Sequence, residues 1–142
     1  MGRYLADTSA WAQAQRRRAP AELRELFAGL LVAGEIATCG PVVWELLHST
    51  NNAEEFRARR ADLGALERAP IDDAEWEAAL DVCQGLAGQG GALHRSVRLH
   101  DTLIAIAAQR ADLTVLHYDA DFDRIASVTG QPCEWIAPQG SL

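Results

Sequence analysis

Short apolar segments alternate with longer amphipathic segments along this chain, and this alternation restricts the possible folds more than any other feature. Four segments are predicted as β-strands, with residues 69–71 as a short fifth strand: residues 3–6, 35–39, 114–117 and 133–136. Helices are predicted at residues 9–18, 21–33, 41–50, 52–67, 73–87, 101–110 and 121–128. Strands that alternate with helices predict an α/β fold with a parallel sheet of about five strands flanked by about seven helices.

Helix start signals support several of these boundaries. Ser9 can cap the first helix, Pro41 lies at the start of the third helix, and Asp72 and Asp73 precede the fifth. The chain has 142 residues and contains no internal repeat or low-complexity linker. This length predicts a single domain over residues 1–142.

The charged residues exclude several classes of protein. The chain has 20 acidic and 13 basic residues, a formal net charge of −7, so it is poorly suited to bind nucleic acid through charge alone. Every basic residue is an arginine, which excludes chemistry that needs a lysine, such as a Walker A phosphate loop or a Schiff base. No apolar run is long enough for a membrane span and the N-terminus lacks a signal-peptide pattern, so we expect a cytoplasmic protein without membrane contact.

Four carboxylates occupy corresponding positions at the ends of the predicted elements. Asp7 follows the first strand, Asp119 follows the strand at residues 114–117, Asp101 opens the sixth helix, and Glu45 lies one turn into the third helix. Because ligands bind at the carboxyl ends of parallel strands, we expect these acids to meet at one edge of the sheet. Converging carboxylates suit Mg²⁺ or Mn²⁺, which prefer oxygen ligands and support phosphodiester hydrolysis.

Each acid by itself also has a structural explanation. Asp7 could cap the first helix, Asp101 could complement the dipole of its helix, and Asp119 and Asp121 could cap the last helix. Glu45 could face solvent, although apolar residues surround it in the sequence. These separate roles do not explain why all of the acids lie at matching strand and helix ends.

Four short motifs carry these acids in a fixed order. They are Tyr4-Leu5-Ala6-Asp7-Thr8-Ser9, Val43-Trp44-Glu45-Leu46, His100-Asp101-Thr102-Leu103-Ile104-Ala105 and His117-Tyr118-Asp119-Ala120-Asp121-Phe122-Asp123. Each motif is weak alone, but together and in this order they resemble PIN-domain ribonucleases of the VapC toxin type over nearly the whole chain. The resemblance implies a PIN-like parallel sheet, Mg²⁺- or Mn²⁺-dependent endonucleolytic cleavage of RNA, and inhibition by a cognate VapB-like antitoxin. It also leads us to expect a homodimer.

The resemblance assigns roles to particular residues. Asp7, Glu45, Asp101 and Asp119 would be the catalytic and metal-binding acids, with Asp121 as a further metal ligand. Thr8 or Ser9 would hold the first acid or a water molecule. Many members of the family have Ser or Thr where this chain has His117, so the hydrogen bonding around the fourth acid departs from the family pattern.

Arginines and aromatic residues are the candidates for contacts with RNA. Arg16, Arg17 and Arg18 at the end of the first helix, and Arg95 and Arg98 before the sixth, could bind phosphates or simply form solvated surfaces. The four tryptophans are expected in the core, with Trp11 as the best candidate for a base-stacking platform. Two other functions stay open: a PIN-like binding module without catalysis, and another metal-dependent phosphodiesterase that acts on DNA.

Overall fold

A five-stranded sheet organises the computed structural model, which describes residues 3–142; Met1 and Gly2, included in the predicted single domain, lie outside the described residues. The strands are β1 (Tyr4–Ala6), β2 (Ile36–Thr38), β3 (Glu67–Arg68), β4 (Thr114–His117) and β5 (Cys133–Trp135). Their order in the sheet is β3-β2-β1-β4-β5, and every neighbouring pair is parallel. The predicted parallel α/β fold is confirmed.

Seven α-helices connect the strands within residues 3–142. They are α1 (Thr8–Gln15), α2 (Ala21–Val32), α3 (Gly40–His48), α4 (Ala53–Gly64), α5 (Asp73–Gly88), α6 (Leu99–Arg110) and α7 (Asp121–Thr129), with a 3₁₀ turn at Leu93–Arg95. In the part of the chain that the structure describes, none of these helices has the length and apolar character that a bilayer crossing requires.

The centre of the sheet sets the position of the candidate site. All three residues of β1 are buried between β2 and β4, and every residue of α6 from Asp101 to Ala108 is buried too. In the sheet, β2 and β3 lie on one side of β1, and β4 and β5, which come later in the chain, lie on the other side. The strand order therefore reverses at β1 and β4, and ligands bind in the crevice at the carboxyl ends of such strands.

Two predicted boundaries are wrong. The short strand predicted at residues 69–71 lies at Glu67–Arg68, and the helix predicted at residues 52–67 ends at Gly64. The strand lies at the edge of the sheet and both of its residues are exposed. An exposed two-residue strand buries no apolar face, so it leaves no alternating pattern in the sequence.

The start and end of α1 also differ from the prediction. Its N-cap is Asp7, whose side chain accepts a hydrogen bond from the Ser9 N–H, so Ser9 is not the capping residue. The helix ends at Gln15, and the predicted last turn at Arg16 to Arg18 lies beyond it. The start differs because an aspartate oxygen satisfies the free N–H groups of the first turn directly.

The start of α5 is capped as the sequence predicts and is tied to α6. Asp72 and Glu75 form a capping box, in which each side chain accepts a hydrogen bond from the backbone N–H of the other residue. The buried Glu75 also accepts a hydrogen bond from Arg110 Nε at 2.6 Å. The hydrogen bonds to Asp72, together with the Arg110 contact, lower the pKa of Glu75 to about 2. A buried carboxylate with these partners stays ionised and holds the two helices together.

Candidate active site

Asp7 lies at the end of β1, and its two carboxylate oxygens have different surroundings. Its Oδ2 accepts hydrogen bonds from the Ser9 hydroxyl at 2.6 Å and from the Ser9 N–H at 3.0 Å. Its Oδ1 is buried and has no hydrogen-bond partner among the described residues. A buried acceptor without a partner costs about 1–3 kcal/mol, so this oxygen fits a site that a bound cation would complete.

Two hydroxyl groups next to Asp7 fix the geometry around it. The Ser9 hydroxyl that donates to Asp7 also accepts a hydrogen bond from the Tyr118 N–H at 2.9 Å. This pair of bonds joins the start of α1 to the segment after β4. The Thr8 hydroxyl donates to Glu45 Oε1 at 3.1 Å and thereby orients the acid that α3 contributes.

Arg98 links the acids of α3 and α6. Its guanidinium forms an ion pair with Asp101 Oδ1 at 3.1 Å and lies 3.8 Å from Glu45 Oε2. The Asp101 side chain is fully buried and that of Glu45 is 22% exposed, whereas that of Arg98 is 58% exposed. The arginine therefore covers the two carboxylates from the solvent side.

The segment after β4 adds Asp119 and Asp121. Asp119 Oδ1 accepts a hydrogen bond from the Asp121 N–H at 2.9 Å, and Asp121 forms an ion pair with Arg124. One carboxylate oxygen from each of Asp101, Asp119 and Asp121 can be chosen so that the three lie within 4.8 Å of one another. Three carboxylate oxygens at this spacing suit a hard divalent cation.

His117 holds the backbone of Asp119 in place. Its Nδ1 accepts a hydrogen bond from the Asp119 N–H at 3.1 Å, and its buried ring packs against Phe122 and Trp135 with centroid distances of 5.0 and 4.9 Å. Burial lowers the pKa of His117, which keeps the imidazole neutral. A serine or threonine hydroxyl can also accept a hydrogen bond from the N–H two residues further along the chain. His117 can therefore fill the role that the family pattern gives to Ser or Thr at this position.

Burial and mutual repulsion disfavour the ionised acids in this cluster. Burial is the largest cause of the raised pKa of Asp7; the Ser9 bonds oppose it and the Glu45 charge adds to it. The pKa of Asp101 rises to about 6, mainly through burial, with Arg98 opposing the shift and the charges of Asp7 and Asp119 increasing it. A positive ion that enters the cluster would relieve both effects.

The predicted RNA-binding arginines differ in their relation to the acids: Arg98 contacts them, and Arg16 lines one pocket together with Glu45. Arg16, Arg17 and Arg18 lie exposed on the turn after α1, where Arg24 donates hydrogen bonds to the carbonyl oxygens of Arg16 and Arg17. Arg95 is exposed at the end of the 3₁₀ turn. Of the five, Arg98 is the one in contact with the acid cluster.

Trp11, the best candidate among the tryptophans for base stacking, lies in the core, where all four were expected. Trp11 is 4% exposed and packs edge-on against Phe27 with a centroid distance of 4.9 Å. Trp44 is 65% exposed, although it was expected in the core. The sequence holds a signal for this exposure, because Val42, Val43, Leu46 and Leu47 form the apolar stripe of α3 and are its buried residues. Trp44 falls outside that stripe, as does the functional candidate Glu45.

The fold and this site define a class: a parallel α/β domain whose strand-order reversal gathers carboxylates suited to a divalent cation. The family model described as PIN domain matches residues 4–128. The chain is 39% identical to ribonuclease VapC18 of Mycobacterium tuberculosis, covering 98% of each chain, and 36% identical to ribonuclease VapC51 of the same organism, covering 99% of this chain and 97% of that one. This chain belongs to the PIN domain family, and within it to the VapC group.

Solved structures share the fold. The DNA-bound VapBC structure from Salmonella typhimurium includes a chain with a TM-score of 0.69 and 19% identity, which covers 96% of this chain and 100% of that one. A chain of VapBC-5 from Mycobacterium tuberculosis, described as a toxin–antitoxin system, has a TM-score of 0.56 and 26% identity, with coverage of 95% and 98%.

Proposed function

We propose that this chain is the toxin of a type II toxin–antitoxin pair and that it hydrolyses RNA as a divalent-metal-dependent endoribonuclease. The observation that carries the proposal is the convergence of Asp7, Glu45, Asp101 and Asp119, with one buried Asp7 oxygen that lacks a partner among the described residues. Full-length relatives named as VapC ribonucleases support RNA as the substrate. RNA as substrate in turn makes the cytoplasm the expected compartment.

The four acids, with Asp121, would hold Mg²⁺ or Mn²⁺, which would supply Lewis-acid catalysis at a phosphodiester. The neighbouring polar side chains keep the acids in position: Ser9 holds Asp7, Thr8 holds Glu45, and His117 holds the backbone of Asp119. His117 is buried and its Nδ1 is already bonded. It therefore serves as a positioning residue rather than as a general base.

Exposed arginines would contact the RNA backbone. Arg16, Arg17, Arg18 and Arg95 are exposed, and the exposed end of Arg98 lies beside the acids. A guanidinium group can bind a phosphate through two parallel hydrogen bonds, so these side chains suit an anionic strand that approaches an acidic site.

Two protein partners belong to the proposal. The first is a VapB-like antitoxin, supported by related structures that are described as VapBC complexes; we expect it to bring a basic residue to the acid cluster. The second is another copy of this chain. Three exposed apolar side chains, Trp76, Leu80 and Leu99, border one pocket between α5 and the start of α6, and such a patch supports homodimer formation.

The function is tested by cleavage of purified RNA. We expect the protein to cut total RNA with Mg²⁺ or Mn²⁺, to stop when EDTA is added, and to resume when metal is restored. Single-stranded DNA is the matched substrate control. Cleavage of DNA but not RNA would favour a different phosphodiesterase, and a protein that binds metal but cuts neither would be a binding module.

Arg98→Gln is expected to tighten binding of Mn²⁺ by up to about fivefold. Arg98 contacts two of the carboxylates, so a cation must displace it. Because the arginine itself is 58% exposed, solvent limits the contribution of these contacts to about 1 kcal/mol. Titration calorimetry of the metal measures the change. Arg95→Gln, three residues earlier and without contact to the acids, should leave the affinity unchanged. Weaker Mn²⁺ binding by Arg98→Gln would contradict this role.

A further inference from the structure

A second pocket lies beside α3, the helix that carries Glu45, and is bordered by α4 and β3. It has a volume of about 350 Å³ and is lined by Trp44, His48, Phe56, Arg60 and Arg68, together with apolar residues of α3. Ligand pockets for small molecules begin at about 300 Å³. The pocket, called here the aromatic–arginine pocket, is therefore large enough for a single flat ring system with an attached charged group.

The aromatic part of this pocket exposes a large ring to water. Trp44 is 65% exposed and Phe56 is 38% exposed. The ring of His48 is tilted by 30° to that of Trp44, with a centroid distance of 6.1 Å, so it does not cover the indole. An open aromatic face is the surface on which unpaired bases of a single strand stack.

The charged part of the pocket fits an anion. Neither Arg60 nor Arg68 forms an ion pair or side-chain hydrogen bond with another residue in the described range 3–142. No acidic residue of that range is among those lining the pocket. Unpaired guanidinium groups in a chain of net charge −7 suit a phosphate group, which arginine binds through paired hydrogen bonds.

We propose that the aromatic–arginine pocket binds one nucleotide of a single RNA strand, with its base on Trp44 and a phosphate on Arg60 and Arg68. The inference rests on the proposed ribonuclease function. Trp44 precedes Glu45, so their Cα atoms are about 3.8 Å apart. Their side chains diverge by about 100° around α3. A strand that passes over α3 would therefore place one nucleotide in the pocket while its neighbour reaches the acids.

The test is binding of a labelled single-stranded RNA dodecamer, followed by fluorescence anisotropy at low salt in EDTA, where a metal-dependent enzyme does not cut. Trp44→Ala should weaken binding roughly fivefold to a hundredfold, since one base stack contributes about 1–3 kcal/mol. Trp44→Phe should retain most of the affinity. Val32→Ala, which shortens an exposed apolar side chain at the end of α2 outside the pocket, should bind RNA as the wild type does.

The arginines have a separate signature. Arg60→Ala with Arg68→Ala should reduce the slope of log affinity against log salt by about 0.7 for each phosphate that the protein no longer neutralises, while Trp44→Ala should leave the slope unchanged. Unchanged RNA affinity in Trp44→Ala would refute the pocket. So would conversion of a dimer to a monomer by Trp44→Ala in sedimentation, because the surface would then be a protein interface.

The pocket and the proposed function can fail separately. If the wild type cleaves RNA with metal but Trp44→Ala binds RNA equally well, only the pocket is refuted. If Trp44-dependent RNA binding is found without any metal-dependent cleavage, the pocket stands as an RNA-binding site and the enzymatic function is refuted.

Discussion

Asp101→Asn is expected to lower metal-dependent RNA cleavage by at least about a hundredfold while the protein remains folded. The Asp101 side chain is fully buried in the acid cluster, and asparagine keeps its shape while removing the charge that would attract a cation. A loss of about 3 kcal/mol of transition-state stabilisation corresponds to roughly a hundredfold in rate. Asp7→Asn should have a similar effect, because its buried Oδ1 would undergo the same change in charge.

The matched control is Asp112→Asn. Asp112 lies just beyond the other end of α6, is exposed, and has a left-handed backbone with φ of 58°, which asparagine also adopts readily. The initial rate of RNA cleavage by Asp112→Asn at saturating Mn²⁺ should equal that of the wild type, and circular dichroism checks that the variant is folded. Full activity in both Asp101→Asn and Asp7→Asn, with metal still required, would remove the acids from the catalytic site.

Asp101→Asn is also expected to melt at a higher temperature than the wild type at pH 7 in EDTA. The pKa of Asp101 is about 6 in the folded protein, against about 4 for an unfolded aspartate. Between these values the folded state binds more protons than the unfolded state, so stability falls as the pH rises from about 4 to about 6. Above a pH of about 6 the full penalty applies, roughly 3 kcal/mol for a shift of about two pH units.

Neutralising this side chain removes that penalty, although it also removes the ion pair with Arg98. The net gain should be about 1–3 kcal/mol, which raises the melting temperature by several degrees in a chain of this size. At pH 4 the wild-type carboxyl is protonated in the folded state, so the difference should disappear. With saturating Mn²⁺ the difference in melting temperature between the two proteins should become smaller or change sign, because the ion stabilises the fully charged site.

The melting temperatures of wild type, Asp101→Asn and Asp112→Asn are compared at pH 4 and pH 7, each with and without metal. Asp112→Asn should shift stability by no more than about 1 kcal/mol, since it changes only an exposed charge near a helix end, and that shift should not depend on metal. If Asp101→Asn melts at or below the wild type in EDTA and metal does not alter the difference, the acids are separate helix caps.

The main elements of the site were predictable because their positions follow from the sheet. Asp7 and Asp119 follow two buried strands that are neighbours in a parallel sheet, so their proximity is a consequence of topology. Asp101 lies in the first turn of the helix that packs behind those strands. These segments are continuous apolar runs that are buried in the structure, and their boundaries set where each acid lies along the chain.

Other features depend on tertiary contacts that periodicity does not encode. The Ser9 hydroxyl bonds to both Asp7 and Tyr118, and Tyr118 is far away in the sequence, so local patterns indicate only a cap at Ser9. Arg98 contacts the acids because α3 and α6 approach each other. Trp11 is buried because α1 packs against α2, where its ring contacts Phe27.

The two oxygens of Asp7 have a consequence for how this chain could change over evolutionary time. One oxygen caps α1 and the other is buried without a partner among the described residues, so the start of the helix would retain Asp or Asn at this position even if catalysis were lost. The charge of Asp101 opposes folding, and its side chain accepts hydrogen bonds from Arg98. A descendant released from selection for activity would therefore lose the acid at position 101 first, which makes that position the better indicator of a working enzyme.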